Sequence, residues 1–129
     1  METVEIELSE NSYKIDIGYQ FLSKETFSGL LENKEVLLVY DKNISEPVLG
    51  DTESILKPLS NEFLTIGLDA SEENKSQESI DIIHNLLLEK GFSRQCVLVG
   101  LGGGIICDLC GFAAATYQRG VNFVLIPTT

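Results

Sequence analysis

The sequence has few basic residues, and this shortage excludes several kinds of partner. It has 9 Lys and Arg against 20 Asp and Glu, so its formal net charge is -11 at pH 7. Because proteins bind phosphate backbones with clustered Lys and Arg, the composition argues against nucleic acid and against anionic membrane surfaces. A small phosphate-bearing ligand is still compatible, since backbone N–H groups and one or two local cations can hold it.

Long apolar runs and a leader pattern are also missing. No run approaches the roughly 20 apolar residues that span a bilayer. The N-terminal segment, METVEIELSE, is acidic and alternating, without the basic start and apolar stretch of a signal peptide. These absences predict a cytoplasmic protein with no membrane partner.

Cysteine and histidine are scarce. The chain has 3 Cys, an odd and low number that favours reduced thiols over a disulfide framework. Cys107 and Cys110 form a Cys-x-x-Cys pair, which can be a redox pair or half of a zinc site. A redox pair would need a thioredoxin-like fold, and a zinc site would need two further ligands, for which Cys96 and His84 are the available residues. We therefore predict buried structural thiols and a structural His84.

The hydrophobic pattern predicts a single α/β domain, because strands and helices alternate along the 129 residues. Two alternating segments around a polar turn predict an N-terminal β-hairpin. The later strands are apolar throughout, which is typical of a Rossmann-like parallel sheet with helices on both faces. The predicted strands are Val4–Leu8, Tyr13–Ile17, Val36–Tyr40, Glu62–Gly67, Cys96–Gly100 and Asn122–Ile126; the predicted helices are Phe21–Leu31, Val48–Leu59, Ser76–Lys90 and Gly104–Gln118.

Polar or glycine-rich residues follow three of these strands, where parallel sheets bind ligands. The glycine stretch Gly100–Gly104 joins a strand to a helix. Glycines there allow positive φ and let a pyrophosphate approach the backbone, while the helix start offers free N–H groups and partial positive charge. The strict dinucleotide fingerprint is broken, because Cys107 stands where the pattern has a small packing residue. By itself, such a cluster could also serve only to turn the chain.

Several short motifs then follow in order within Gly102–Thr129, GGGIICDLCGFAAATYQRGVNFVLIPTT. GGG-x-x-x-D is followed by GFAAAT, by Y-x-R-G, and by a strand that ends in PTT. This segment resembles the most characteristic segment of 3-dehydroquinate synthases, and a weaker similarity extends back along the chain to Asp41. Cys107 departs from the family, which usually has Gly at this position.

The resemblance implies a Rossmann-like N-terminal domain that binds NAD. It implies that Asp41 accepts hydrogen bonds from ribose hydroxyls, and that Asp108 either does the same or shapes the nicotinamide site. The family pattern D-G-E-x-x-K carries over at Glu72 and Lys75 only. The full implied cofactor-binding set is Asp41, Glu72, Lys75, Gly102, Gly103, Gly104, Asp108, Thr128 and Thr129.

Arg119, in the Y-x-R-G motif, resembles a family arginine that reaches the substrate phosphate of a neighbouring subunit. This implies a homodimer, and the forked, permanently charged guanidinium suits phosphate binding.

Each polar candidate also has a purely structural alternative. Arg119 could be a cation opposing a helix dipole, and Asp108 an acid favoured near a helix N-terminus. Asp41 could be a turn residue. Glu72 and Lys75 could form an exposed helix entry with Ser71 as its N-cap.

The resemblance implies the reaction of the parent enzyme, which converts 3-deoxy-D-arabino-heptulosonate 7-phosphate (DAHP) to 3-dehydroquinate and phosphate in the shikimate pathway of aromatic amino acid biosynthesis. It also implies a helical C-terminal domain with a divalent metal, zinc or cobalt, held by Glu and two His. We expect residues 1–129 to be the NAD-binding domain of that longer enzyme, without catalytic or metal-binding residues and without activity alone.

Two alternatives remain at this point. The parent could be another sugar-phosphate cyclase or a metal-dependent polyol dehydrogenase, although GFAAATYQRG favours dehydroquinate synthase over the dehydrogenases. The chain could also be a non-catalytic nucleotide-binding module.

Overall fold

A parallel sheet forms the centre of the protein in the computed structural model, which describes residues 1–19 and 22–129. The sheet order is β4-β3-β5-β6, and all neighbouring strands in it are parallel. The helices and strands run, in chain order, β1 (Glu2–Ile6), β2 (Tyr13–Ile17), α1 (Lys24–Leu31), β3 (Glu35–Asp41), α2 (Glu46–Leu59), β4 (Glu62–Leu68), α3 (Gln77–Glu89), β5 (Val97–Gly102), α4 (Gly104–Thr116) and β6 (Asn122–Pro127).

Helices cover both faces of this sheet. On one face, Leu37 and Leu98 pack with Ile83 of α3 and Ala113 of α4. On the other face, the intervening strand residues pack with α1 and α2, through side chains that include Phe27, Leu31 and Leu56. The residues of β5 are all buried, as expected for a central strand with an apolar sequence. The predicted Rossmann-like α/β fold is confirmed.

The N-terminal hairpin is confirmed, with a shifted first strand. β1 begins at Glu2 instead of Val4, and its register places Val4 opposite Ile15. The strands β1 and β2 form a separate two-stranded antiparallel sheet.

Most predicted elements have the expected type, and their ends differ for identifiable reasons. α1 begins at Lys24 after Ser23, whose backbone N–H donates to Thr26 Oγ1 at 3.2 Å. The predicted helix start at Phe21 lies outside the described residues. α3 begins after Ser76, whose hydroxyl accepts from Ser79 N, and Gly91 follows it with φ 68°. α4 ends at Thr116 instead of Gln118, because Tyr117 is extended.

The largest correction concerns the glycine stretch. The predicted loop from Gly100 to Gly104 is much shorter, because Gly100 and Gly102 belong to β5 and α4 begins at Gly104. Only Gly103 lies between the strand and the helix. Within the described part of the chain, no helix is both long and apolar enough to cross a membrane.

Candidate functional site

The glycine turn and the end of β6 meet at the carboxyl edge of the sheet. Gly102 lies opposite Pro127, and the N–H of Thr128 donates to the carbonyl of Gly102 at 2.9 Å. A Cβ atom on Gly103 would lie 3.1 Å from Thr129 Oγ1. The structure therefore brings together the predicted residues of the glycine turn and the two terminal threonines.

Gly102 is required for close packing, and none of the glycines in this turn is required for positive φ. None of the three in Gly102–Gly104 has positive φ, so that part of the sequence expectation is wrong. A Cβ on Gly102 would lie 2.9 Å from the Cβ of Ile106, which means that this glycine lets α4 pack against β5. A Cβ on Gly104 would meet nothing within 4 Å. Gly104 thus leaves space open in front of the helix.

The first turn of α4 has the properties of an anion site. Its N-cap is Gly103, and no side chain caps it. The first N–H groups of a helix have no intrahelical acceptor, and the helix dipole adds partial positive charge there. No acidic residue lies in this first turn. A phosphate group could therefore lie against the backbone at Gly104.

Lys75 and Asp108 form an ion pair beside this turn. Lys75 Nζ lies 2.7 Å from Asp108 Oδ2, with 44% and 60% of the two side chains exposed. The hydrogen bond and the charge of Asp108 raise the pKa of Lys75, and Glu72 adds a smaller contribution in the same direction. The structure thus joins two predicted site residues, Lys75 and Asp108, that are distant in sequence. The sequence motifs predicted Lys75 and Asp108 as separate site residues and did not predict their ion pair.

Asp41 ends β3 at the same edge. Its Oδ1 accepts from the N–H of Asn43 at 2.9 Å, which forms a turn stabilised by the side chain. This supports the structural alternative for Asp41, while Oδ2 has no hydrogen bond in the described part of the chain. One carboxylate oxygen is therefore available to a ligand.

Arg119 lies away from the other predicted site residues. It precedes β6, at the edge of the sheet opposite to the carboxyl ends of the strands. Gln118, Arg119 and Gly120 all have positive φ, of 48°, 66° and 105°. The turn is held by the N–H of Val121, which donates to Ala114 O at 2.9 Å. Arg119 is exposed, and no ion pair involves it among the described residues.

The cysteines and His84 have structural surroundings, as predicted. All 3 cysteines are buried and free. A Cβ on Gly100 would lie 2.9 Å from the Cβ of Cys110, so this thiol packs where β5 and α4 are closest. Burial raises the pKa of Cys96 to about 11 and that of Cys110 to about 12. His84 Nε2 lies 3.0 Å from Ala113 O, which ties α3 to α4.

The substitution of Cys107 for the small fingerprint residue is accommodated. Its thiol lies 3.7 Å from Gly102 O, and the close contacts between helix and strand occur at Gly100 and Gly102 instead. Across residues 1–19 and 22–129, no group of three or more His, Cys, Asp or Glu could hold a metal ion.

A family model matches the part of the chain that contains most of these residues. The model described as the 3-dehydroquinate synthase N-terminal matches residues 65–129, which include the ion pair, the glycine turn and the end of β6. The chain belongs to the 3-dehydroquinate synthase family.

Curated relatives agree with this family along nearly the whole chain. A 3-dehydroquinate synthase of Ruthia magnifica subsp. Calyptogena magnifica is 40% identical over 130 residues, which cover 100% of this chain and 36% of the relative. One of Shewanella pealeana is 42% identical over 125 residues, which cover 96% of this chain and 34% of the relative. The chain therefore spans about a third of the length of the curated 3-dehydroquinate synthases that it matches.

Solved structures share the fold. A 2-deoxy-scyllo-inosose synthase, complexed with carbaglucose-6-phosphate, NAD+ and Co2+, superposes with a TM-score of 0.86 at 19% identity, over 99% of this chain and 35% of that one. A 2-epi-5-epi-valiolone synthase from Streptomyces hygroscopicus subsp. jinggangensis 5008, with NAD+ and Zn2+ bound, superposes with a TM-score of 0.71 at 24% identity. The match covers 96% of this chain and 34% of that one.

Proposed function

We propose that residues 1–129 form the NAD-binding domain of a 3-dehydroquinate synthase, which converts DAHP to 3-dehydroquinate and phosphate. The observation that carries this proposal is the uncapped N-terminus of α4, with open space at Gly104 beside Thr128 and Thr129. Family membership supports the reaction, and the fold shared with NAD-bound cyclases supports the cofactor.

In this proposal, different residues at the carboxyl edge contact different parts of the cofactor. The backbone from Gly102 to Gly104 holds the pyrophosphate, because it offers N–H groups without obstructing side chains. Asp41 accepts hydrogen bonds from ribose hydroxyls through its available oxygen. Lys75 and Asp108, with Glu72, contact the nicotinamide half, and the two threonines line the same edge. When bound, NAD would serve as a reversible hydride acceptor.

The metal does not fit this domain. Zn2+ binds Cys, His and carboxylate ligands in sets of three or four, and the described residues bring no such set together. We therefore assign the zinc or cobalt ion, and the catalytic groups, to a second domain of the protein outside residues 1–129.

Arg119 acts on a neighbouring subunit in this proposal. β6 separates it from the carboxyl edge by six residues at about 3.3 Å each, so it lies roughly 17–20 Å from its own cofactor site. An exposed arginine at the opposite edge suits a substrate phosphate held by a partner. The parent enzyme is accordingly a homodimer.

NAD binding to this chain tests the proposal. We expect isothermal titration calorimetry to detect binding at up to millimolar NAD, and the variant Gly104→Val to weaken it at least tenfold, because the new side chain fills the phosphate position. Gly50→Val is the matched control, since Gly50 also has nothing within 4 Å but lies in α2, away from the site. Equal affinity for both variants would reject the assigned phosphate position.

A negative titration would reject NAD binding by this domain alone. If the unmodified chain shows no heat with NAD and crystals soaked in NAD stay empty at Gly102–Gly104, the domain does not bind the cofactor by itself. Assays of the complete protein with DAHP and with other sugar phosphates would then separate dehydroquinate synthase from a sister cyclase.

A further inference from the structure

The turn between α4 and β6 has a backbone conformation that residues with side chains rarely adopt. Gln118, Arg119 and Gly120 have φ of 48°, 66° and 105°, so three consecutive residues lie in the left-handed region. Glycine takes this region without a steric cost, whereas a Cβ atom makes it unfavourable. Residues with side chains persist there when the surrounding structure fixes them, and they cluster at functional sites. The turn therefore needs an anchor.

The end of α3 shows how the same chain makes a left-handed turn without this cost. There Gly91 takes φ of 68°, and it has no Cβ atom to clash. After α4, two of the three left-handed residues, Gln118 and Arg119, carry long side chains. Because φ and ψ set the direction of the Cα–Cβ bond, the left-handed conformation fixes how the side chain of Arg119 leaves the backbone.

Tyr117 provides the anchor for this turn. It is 3% exposed, and its hydroxyl donates to Phe92 O at 2.5 Å. Tyr117 and Phe92 belong to the same buried cluster, between the sheet and the helices α3 and α4. The carbonyl of Tyr117 accepts from the N–H of Gly120 at 2.8 Å. One residue therefore joins the core of the domain to both ends of the strained turn.

We propose that Tyr117 is the positioning residue of Arg119. Its buried hydrogen bond to Phe92 holds the left-handed turn, and the turn directs the guanidinium toward the substrate phosphate. This proposal rests on the proposed function, in which Arg119 binds that phosphate. Without the hydroxyl, the buried carbonyl of Phe92 loses its donor, which is unfavourable. The local structure then shifts, and the turn relaxes toward negative φ.

NMR relaxation of the 129-residue chain tests the link between the hydrogen bond and the turn. In Tyr117→Phe, the backbone order parameters of residues 118–120 should fall from about 0.85, typical of rigid backbone, to about 0.6. Asn33 is the internal reference, because it also has positive φ, of 61°, but lies between α1 and β3. Its order parameter should not change. Tyr13→Phe is the matched control, since Tyr13 is 56% exposed on β2, and it should leave the turn rigid.

Steady-state kinetics of the complete protein test the link to Arg119. Tyr117→Phe should raise the KM for DAHP about fivefold and leave kcat within about twofold, because a misdirected guanidinium weakens ground-state and transition-state binding alike. The KM for NAD should not change, since the turn lies at the opposite edge of the sheet from the cofactor site. Arg119→Ala should raise the KM for DAHP about tenfold or more. In the Arg119→Ala background Tyr117→Phe should have no further effect, because it acts through the arginine.

Gly120→Ala provides a second perturbation of the same turn that leaves the core unchanged. A side chain at φ of 105° is strained whatever the free space around it, so the turn must shift. The KM for DAHP should rise as in Tyr117→Phe, and this rise should also disappear in the Arg119→Ala background. An unchanged KM in Gly120→Ala would show that the geometry of the turn does not matter for the substrate.

Two further results would overturn the positioning role. Rigid turn amides in Tyr117→Phe would show that the turn does not depend on the hydrogen bond. An equal rise in the KM for DAHP with and without the Arg119 side chain would show that Tyr117 acts through general packing. A failure of the proposed function is distinguishable: Arg119→Ala would then keep the KM of the unmodified protein, which rejects the phosphate contact and the positioning role together.

Discussion

Glycines within one short segment have different physical roles in this protein. Gly100 and Gly102 allow α4 to pack against β5, because a Cβ on either would lie 2.9 Å from a side-chain atom of the helix. A Cβ on Gly104 would meet nothing within 4 Å, so this glycine leaves the helix start open. The sequence identified the segment as important, but it could not divide these roles, since they depend on which side chains of α4 face the strand.

Lys75 and Asp108 should both contribute to NAD binding, and their contributions should depend on each other because the two side chains form an ion pair. We expect Asp108→Asn and Lys75→Met each to weaken NAD binding roughly tenfold, since each removes a charged hydrogen-bonding group from the site. Because the two groups orient each other, the double variant should lose less than the product of the single effects. Calorimetry of the four proteins measures this.

The thermal midpoint provides the control for that experiment. Both side chains are substantially exposed, so neither substitution should change it appreciably in the absence of NAD. Strictly multiplicative losses in affinity would show that the pair does not act as a unit.

The buried thiols should make the protein unstable in alkali. Burial raises the pKa of Cys96 to about 11 and that of Cys110 to about 12. The unfolded chain ionises its thiols near pH 8.5, so above that pH the unfolded state releases protons that the folded state retains. The free energy of unfolding should therefore fall by about 1.5 kcal/mol per thiol between pH 8.5 and pH 10.

Urea unfolding across this pH range measures the effect. Cys110→Ala keeps the Cβ atom that packs beside Gly100, and it removes one titrating group. Its stability should decline less steeply with pH than that of the unmodified protein. An identical slope in the variant would contradict the assignment to Cys110.

At the scale of helices and strands, local signals explain why element types were predictable while element ends were less so. Ser76 and Gly91 bracket α3 as a cap and a stop, and both lie within one residue of the predicted boundaries. α4 has no such stop signal. It ends where Tyr117 becomes buried and donates a hydrogen bond to Phe92 O, a contact distant in sequence.

Two glycine substitutions should have opposite effects on helix stability. Gly91 has φ 68° and a Cβ there would meet nothing within 4 Å, so Gly91→Ala should destabilise by about 1 kcal/mol through the backbone alone. Gly50 lies inside α2 with the same free space, so Gly50→Ala should stabilise by about 0.5–1 kcal/mol. Chemical denaturation gives both values, and equal signs would contradict the role of φ.

At the scale of the whole molecule, the division between cofactor binding and catalysis predicts an inactive chain. We expect no release of phosphate from DAHP by residues 1–129, even with NAD and zinc added, because the described residues offer no metal site. A coupled phosphate assay with a complete 3-dehydroquinate synthase as positive control measures this. Turnover at a comparable rate would overturn the assignment of the metal and the catalytic groups to another domain.

The sequence by itself determined the α/β class, the central strands and the family, because these depend on local hydrophobic pattern and on motif order between Gly102 and Thr129. It also marked the residues of the candidate site one by one. Only the tertiary structure paired Lys75 with Asp108, reduced the glycine loop to Gly103, and separated Arg119 from the carboxyl edge by the length of β6. The physical reason is that the parallel sheet sets the distances between residues on different strands and helices. The local sequence around a residue does not show which distant side chains the sheet places next to it.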